Sequence, residues 1–160
     1  MLTTRLFRPE DAEEVARIVA TTLRITNSKD YSEAYIEGDI QRLTPAFFIQ
    51  KATQTHFYVF IEDNEIVGTG AIGPYWDSKV EYSLFTIFVH LAYQGHGLGR
   101  HIIETLEADV YFKHATRVEI PASITAVNFY RKMGYDFKGG NAQLDEELLY
   151  RLEKFPTAQG

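Results

Sequence analysis

The chain has 160 residues, 45% of them hydrophobic, which is enough for a sizeable core, so we expect a single domain over residues 1–160. It has no cysteine, which excludes disulfide bonds, thiolate metal sites and cysteine nucleophiles, and we expect no metal cofactor. The formal net charge of −6 offers no basic field for nucleic acid, and no apolar run is long enough for a membrane span or a signal peptide. We therefore expect a cytoplasmic protein that binds neither nucleic acid nor membranes.

The N-terminal third predicts one strand followed by helices. Residues 2–8 alternate weakly in polarity, as a first strand would, and an apolar face at helical spacing follows over residues 12–23. A second helical region surrounds Tyr35. Thr44 and Pro45 are then typical of an N-cap followed by proline in the first turn, so we expect the helix to restart there.

Three strands are predicted next. Residues 56–61 and 66–72 are apolar runs separated by turn residues, which indicates a β-hairpin. Gly68 inside the second run indicates a bulge or the close approach of another group. Trp76 lies in the following loop, where it either lines a pocket or packs at an edge. The third strand, 82–89, is rich in aromatic and β-branched residues.

A loop with three glycines on alternate positions, Gly95, Gly97 and Gly99, connects this strand to a helix predicted over residues 98–112. Glycine lets backbone N–H groups turn toward a ligand, and the helix start adds free N–H donors and a positive dipole end. Such a unit is typical of a pyrophosphate site. The spacing is not the G-x-G-x-x-G of a dinucleotide-binding fold, and no Lys-Ser/Thr pair follows as in a P-loop, so both sites are excluded.

The C-terminal third predicts strands around one helix. A short strand over residues 117–120 is ended by Pro121, and a helix follows that is capped by Ser123 and closed by Gly134. The last strand alternates over residues 148–152. The predicted order β-α-α-β-β-β-α-β-α-β-β is a mixed α+β fold with antiparallel meanders and one parallel crossover.

Two stretches resemble motifs of the GNAT N-acetyltransferase superfamily. The first resembles motif A, the acyl-CoA pyrophosphate loop, and reads Gln94-x-x-Gly97-x-Gly99. The second resembles the closing helix of the family and reads Ala126-x-x-Phe129-Tyr130-x-Lys132-x-Gly134-Tyr135. The resemblance extends over essentially the whole chain. It implies the acyl-CoA N-acyltransferase fold, a mixed central sheet with splayed central strands flanked by helices.

The resemblance implies acetyl-CoA as co-substrate. Pantetheine would pair with backbone groups of the central strand, the pyrophosphate would rest on N–H groups of the glycine loop, and the closing helix would add one contact. Many members carry Asn where this chain has Ser123. The implied cofactor-binding residues are Ile87, Phe88, Val89, Gln94, Gly95, His96, Gly97, Leu98, Gly99, Arg100 and Asn128.

The resemblance also implies a direct attack of an amine on the thioester. Tyr130 matches the position that lies beside the cofactor sulfur in the family, so it is the predicted general acid. Many relatives carry a Glu on the central strand where this chain has Ser83. Glu81 lies two residues earlier, on the same face of a regular strand, and is the predicted general base, acting through a water. His56 and His90 are alternative bases.

Two functions follow from these motifs. The first is an N-acetyltransferase whose acceptor is the amine of a small molecule or of a protein. The alternative is a non-catalytic acetyl-CoA-binding sensor or assembly module, which motif A would serve equally well. Tyr130 favours the enzyme, whereas the absence of Glu at position 83 leaves the alternative open. Homodimers are common in the family, so the resemblance also allows a homodimer.

Overall fold

The computed structural model describes residues 1–156, and in this part of the chain seven strands form one mixed sheet in the order β1-β2-β3-β4-β5-β7-β6. Helices flank the sheet, as expected for the α+β class. In chain order the elements are β1 (Thr3–Leu6), α1 (Ala12–Thr26), α2 (Glu33–Arg42), α3 (Pro45–Gln54), β2 (His56–Glu62), β3 (Glu65–Pro74), β4 (Glu81–Val89), α4 (Leu98–Glu107), α5 (Val110–His114), β5 (Arg117–Ala122), α6 (Val127–Lys132), β6 (Asp136–Phe137) and β7 (Tyr150–Lys154).

The chain divides into two units. Unit 1 comprises residues 1–71 and 86–102, and unit 2 comprises residues 72–85 and, within the described chain, 103–156. Unit 1 therefore holds the glycine loop, and unit 2 holds the closing helix. Across residues 1–156 we find no helix with the length and apolar character that a membrane span requires.

Unit 1 is built on the predicted hairpin. Asp63 and Asn64, between β2 and β3, have φ values of 51° and 64°. Two consecutive positive φ angles are typical of a type I′ turn, whose twist suits a two-residue hairpin. Thr44 caps α3 as predicted, because its hydroxyl accepts a hydrogen bond from the Phe47 N–H at 3.1 Å. The hairpin and the helix restart are thus confirmed.

Gly68 allows α4 to approach β3 closely. A Cβ atom at this position would lie 3.0 Å from the Ile102 Cδ1 atom and 3.3 Å from the Leu98 Cδ2 atom. Ile102 is fully buried and Leu98 is 6% exposed, so the helix that follows the glycine loop is anchored on the sheet at this point. The close approach expected from the sequence is confirmed.

Unit 2 contains the parallel crossover and the start of the splay. The parallel register of β4 with β5 runs from Glu81↔Arg117 to Ser83↔Glu119. β5 continues beyond this point to Ala122, paired antiparallel with β7. The two central strands therefore separate after Ser83.

Several predicted boundaries are wrong. The helix predicted over residues 98–112 is two helices, because the Asp109 carboxylate accepts the Tyr111 N–H at 2.8 Å and starts α5 anew. Pro121 does not end β5, since a strand that has lost one neighbour tolerates proline as an edge strand does. Leu148 has a φ of 60° and precedes β7. Trp76 is 83% exposed, so its side chain neither lines a closed pocket nor is packed at an edge.

Candidate active site

The glycine loop lies in unit 1 and leads directly into α4. Gly95 and Gly97 have φ values of 80° and 83°, in the left-handed region that favours glycine. Hydrogen bonding within the helix begins with the His101 N–H, which donates to the Gly97 carbonyl at 3.1 Å. The N–H groups from Gly97 to Arg100 therefore have no acceptor within the helix. Backbone donors thus converge at an exposed helix start, which suits a diphosphate.

The Gln94 side chain supports the glycine loop through hydrogen bonds. Its side-chain amide donates to the Thr26 hydroxyl and to the Val89 carbonyl, both at 3.2 Å. Its backbone N–H donates to the Leu91 carbonyl at 3.4 Å. Gln94 therefore holds the loop in shape, and the donors that are free for a ligand come from the residues after it.

The side chains of the loop differ in their exposure. The side chains of His96 and Arg100 are exposed. Leu98 is buried and contributes only its backbone N–H. Gly99 lies in the first turn of α4.

The C-terminal half of β4 is distorted at Thr86. This residue has a φ of 48°, which a β-branched side chain rarely adopts. The Thr69 hydroxyl holds the distortion by donating to the Thr86 carbonyl at 2.7 Å. The Thr86 Oγ1 atom is buried and has no hydrogen-bond partner among the described residues. Strain of this kind is typical of functional sites, and it lies directly before Ile87, Phe88 and Val89.

Tyr130 lies on α6 in unit 2 and is 7% exposed. Burial raises the pKa of its hydroxyl above the ordinary value. The helix end that carries it is closed by a Schellman motif, in which the Tyr135 N–H donates to the Tyr130 carbonyl and the Gly134 N–H to the Arg131 carbonyl, both at 3.1 Å. Gly134 has a φ of 100°, as its predicted capping role requires. The phenol is therefore protonated at neutral pH, and the helix that carries it ends in a hydrogen-bonded Schellman motif.

A hydrogen-bonded cluster fixes the end of α6. The Lys154 ammonium donates to the Met133 carbonyl at 3.2 Å and to the Glu107 carboxylate at 2.9 Å. The Tyr135 hydroxyl donates to the same carboxylate at 2.8 Å. Burial is the main cause that raises the pKa of Tyr135, and the charge of Glu107 adds to it.

Asn128 and Ser123 occupy the start of the closing segment. Asn128 is exposed on the first turn of α6. The Ser123 hydroxyl accepts the Ala126 N–H at 3.1 Å in the turn that precedes α6. The prediction that Ser123 caps the helix is wrong, because α6 begins at Val127 and its N-cap residue, Ala126, has no side-chain capping bond.

Glu81 is engaged in an ion pair. Its carboxylate accepts a hydrogen bond from Arg117 at 3.0 Å. The register places Glu81 and Ser83 on one face of β4, as predicted. The Ser83 hydroxyl donates to the Glu119 carbonyl at 3.0 Å. The other candidate bases lie in unit 1, where His56 begins β2 and the His90 Nδ1 atom accepts the Ala92 N–H.

The sequence reasoning missed an ion-pair network in unit 2. Arg117 also pairs with Glu119 and, at 2.8 Å, with Glu153. Glu119 is 3% exposed and receives Lys138 at 3.0 Å as well. Burial opposes the charge of Arg117, but its hydrogen bonds to Glu153, Glu119 and Glu81 prevail and raise its pKa. The alternation of arginine and glutamate in β5 and β7 is the signal that could have revealed this network.

The described residues contain no group of three or more His, Asp or Glu side chains placed to hold a metal ion.

The predicted site residues fall in both units. Unit 1 brings together the strand end, the loop and the helix start, whereas unit 2 contains Tyr130, Asn128 and Glu81.

Comparison with known proteins identifies the family of the chain. The model of the acetyltransferase (GNAT) family matches residues 21–135. The uncharacterized N-acetyltransferase YesJ of Bacillus subtilis is 29% identical over 150 residues, covering 83% of this chain and 81% of that protein. An uncharacterized acetyltransferase in the arcA 3′ region of Streptococcus pyogenes is 28% identical over 112 residues, covering 70% of this chain and 75% of that protein.

Solved structures share the fold. The PaiA N-acetyltransferase of Thermoplasma acidophilum, in complex with coenzyme A, has a TM-score of 0.82 at 16% identity and covers 97% of this chain and 99% of its own. A GCN5-related N-acetyltransferase of Rhodopseudomonas palustris has a TM-score of 0.77 at 22% identity, covering 96% and 94%. By the family match, the chain belongs to the acetyltransferase (GNAT) family and is an acetyl-CoA-dependent acyltransferase.

Proposed function

We propose that the protein transfers the acetyl group of acetyl-CoA to an amine by direct attack, with Tyr130 as the general acid. The observation that carries this proposal is a buried phenol at the motif position that the family places beside the cofactor sulfur. The phenol carries a proton at neutral pH and can give it to the departing sulfur, although its raised pKa makes it a weak acid and keeps its contribution modest.

Cofactor binding is proposed for the residues expected from the sequence. The N–H groups of Gly95, His96, Gly97, Leu98, Gly99 and Arg100 would hold the pyrophosphate, and the Arg100 guanidinium would add charge. Backbone groups of Ile87 and Val89 would pair with pantetheine. Asn128 would add a polar contact from the first turn of α6. Gln94 would act through the shape of the loop.

Acetyl-CoA supplies the acetyl group as an activated thioester. The new bond forms between the amine nitrogen and the acetyl carbon, and the carbon–sulfur bond breaks. An N–H group near Phe88 or Val89 stabilises the negative charge that develops on the acetyl oxygen. Tyr130 gives its phenolic proton to the departing sulfur. The amine proton leaves through a water to Glu81, whose carboxylate also accepts a hydrogen bond from Arg117.

The acceptor is proposed as a small-molecule or protein amine. The acidic balance of the chain, −6 overall, favours a cationic acceptor in the approach to the protein. We propose a single catalytic domain over residues 1–160, because the family match at 21–135 includes parts of both units.

The test is the Tyr130→Phe variant. We expect kcat to fall about 100-fold, because the departing sulfur loses its proton donor, while KM for acetyl-CoA changes less than about twofold. The measurement is free-thiol release from acetyl-CoA with a panel of amines. Tyr150→Phe, which removes a hydroxyl from β7 outside the motif, should retain the wild-type kcat. An unchanged kcat in Tyr130→Phe would remove Tyr130 from the mechanism.

A further inference from the structure

Over the stretch in which β3 and β4 are neighbours, β4 carries one residue more than β3. The Tyr75 N–H, directly after β3, donates to the Glu81 carbonyl at 2.9 Å, and the His90 N–H, directly after β4, donates to the Val67 carbonyl at 2.8 Å. In a regular antiparallel pair, each step along one strand is matched by one step along the other. Between these two bonds β3 advances by eight residues and β4 by nine. The extra residue is the mark of a β-bulge in β4.

The bulge lies at Thr86. A regular strand has a negative φ at every residue, whereas the φ of Thr86 is 48°. A bulged residue in the left-handed region is ordinarily glycine, so a threonine there costs free energy. The Thr86 Oγ1 atom adds to this cost, because it is buried without a hydrogen-bond partner among the described residues. The fold therefore keeps a bulge that is unfavourable for the residue that forms it.

An unbroken β4 would direct its last residues toward β3. Successive residues of a strand point their N–H and C=O groups alternately to one neighbouring strand and to the other. The Glu81 carbonyl points to the β3 side, where it accepts the Tyr75 N–H. By this alternation, Ile87 and Val89 of a regular strand would point to β3 as well, and β3 would occupy their backbone groups.

Beyond the bulge the alternation is reversed. The His90 N–H bonds to β3, and the Phe88 carbonyl oxygen lies 3.4 Å from the position that a Cβ atom at Gly68 would take on the same strand. The residues between and before them, Val89 and Ile87, therefore direct their backbone groups away from β3. The single extra residue is what turns these two residues outward.

On that outward side β4 has no strand to pair with. Its parallel register with β5 ends at Ser83, and in the described chain no other strand adjoins β4 there. The Val89 carbonyl is engaged by the Gln94 side-chain amide at 3.2 Å. The N–H groups of Ile87 and Val89 and the Ile87 carbonyl are left for an extended chain of amides, which is the chemistry of a pantetheine arm.

Thr69 on β3 holds the bulge in place. The residue is fully buried, and its hydroxyl donates to the Thr86 carbonyl at 2.7 Å. Valine has nearly the same shape but no donor, so it would leave this carbonyl without the bond. The hydroxyl thus offsets part of the cost of the bulge at the residue where that cost arises.

We propose that Thr69 is a positioning residue of the acetyltransferase, whose hydroxyl holds the bulge that turns the backbone groups of Ile87 and Val89 toward pantetheine. The inference rests on the proposed function, since it takes the cofactor site from there, and it names the residue that orients this site. It also removes Phe88 from the candidate donors to the acetyl oxygen, because the Phe88 backbone faces β3.

The test compares coenzyme A with 3′-phospho-ADP, which keeps the diphosphate but lacks the pantetheine arm. Thr69→Val should weaken the binding of coenzyme A at least about tenfold and that of 3′-phospho-ADP less than about twofold, because pairing with pantetheine is lost while the glycine loop is unchanged. Thr69→Ser keeps the hydroxyl and should bind coenzyme A within about threefold of the wild-type affinity. Isothermal titration calorimetry measures all of these affinities.

Thr55→Val is the matched control. It removes another hydroxyl of unit 1 that donates to a backbone carbonyl, that of Lys51 at 2.8 Å, and it should leave both affinities unchanged. Wild-type binding of both probes by Thr69→Val, or equal weakening of both, would overturn the role of Thr69 and leave the cofactor site standing. The wild type tests that site by itself, since equal affinity for the two probes there would remove the pantetheine contacts and this inference with them.

Amide hydrogen exchange followed by NMR tests the bulge without any substitution. In wild-type protein free of coenzyme A, the N–H groups of Phe88 and His90 should exchange slowly as donors to β3, and those of Ile87 and Val89 at least about tenfold faster. Coenzyme A should then slow the exchange of Ile87 and Val89. The opposite pattern in the free protein, with Ile87 and Val89 protected and Phe88 exchanging fast, would overturn the inference even if Thr69→Val does not fold.

Discussion

At the scale of single residues, Gly97 shows that a backbone angle can require glycine even where a side chain would have room. A Cβ atom built there meets nothing within 4 Å, yet the φ of 83° is unfavourable for any residue with a side chain. An L-residue in the left-handed region costs about 1–2 kcal/mol. Glycine adopts this angle without that cost, so the loop can turn into α4 at this position.

Replacing this glycine should therefore affect both stability and binding. Gly97→Ala is expected to lower the free energy of unfolding by about 1 kcal/mol and to raise KM for acetyl-CoA. Gly38→Ala is the matched control, because a Cβ atom there also meets nothing, but its backbone is helical in α2. That variant should gain about 0.5–1 kcal/mol. Urea denaturation measures both, and shifts of the same sign would contradict the role given to the positive φ.

Glu81 can be tested as a base through the pH dependence of the reaction. Glu81→Gln should lower kcat/KM near neutral pH, and higher pH should restore it as the amine, with a pKa of about 10.4 for a lysine-like acceptor, loses its proton unaided. Glu153→Gln is the control, since it also removes an ion pair with Arg117 but no proposed base. A pH–rate profile of wild-type shape in Glu81→Gln would exclude Glu81.

At the scale of elements, the sequence predicted those ends that depend on local chemistry. Thr44 and Gly134 act through their own side chain or backbone angle, and both were found from neighbouring residues alone. Asp109 carries the same kind of signal, but the apolar spacing that continues to Val110 concealed it. Val110 is 52% exposed, so its agreement with the helical period was accidental.

Other features of the site depend on tertiary contacts and could not be read locally. A β-branched residue such as Thr86 ordinarily indicates a regular strand, and its positive φ is held by Thr69 across the sheet. Arg117 bonds to Glu81 and Glu153, each 36 residues away in sequence. The alternation of arginine and glutamate in β5 and β7 marks the residues of the network, but nothing near them in the chain indicates which partner each one meets.

The anchoring of α6 by β7 gives a prediction at this scale. Lys154→Met should lower the free energy of unfolding by about 1–3 kcal/mol, because the Met133 carbonyl and the Glu107 carboxylate each lose a donor. Because the same helix end carries Tyr130, kcat should fall as well. Lys113→Met, which removes an exposed cation at the end of α5, should leave both unchanged. Thermal denaturation and thiol release measure the two effects, and a Lys154→Met protein as stable as wild type would contradict the anchoring.

At the scale of the whole molecule, two buried phenols set the alkaline limit of stability. Burial raises the pKa of Tyr130, and burial with the charge of Glu107 raises that of Tyr135. Above pH ~10 the unfolded chain loses these protons while the folded chain retains them. The unfolded state then binds fewer protons, so stability is complete below pH ~10 and falls as the pH rises further.

Tyr135→Phe should weaken this dependence. We expect its free energy of unfolding to fall less steeply between pH ~9 and ~11 than that of the wild type, because one group no longer has to keep its proton on folding. Tyr150→Phe, which removes a half-buried phenol on the same unit, should keep the wild-type slope. Equal slopes in wild type and Tyr135→Phe would show that Tyr135 does not titrate differently in the two states.

Past Ser83 and Glu119, β4 and β5 no longer pair with each other, although each still has its other neighbour in the sheet. Within unit 2 this gives the end of β5 the character of a free sheet margin. Such a margin accepts any extended chain of amides, whether the arm of a cofactor or a stray strand from another molecule. Preparations depleted of coenzyme A should therefore self-associate more readily than loaded ones, a practical concern for anyone who stores the purified protein.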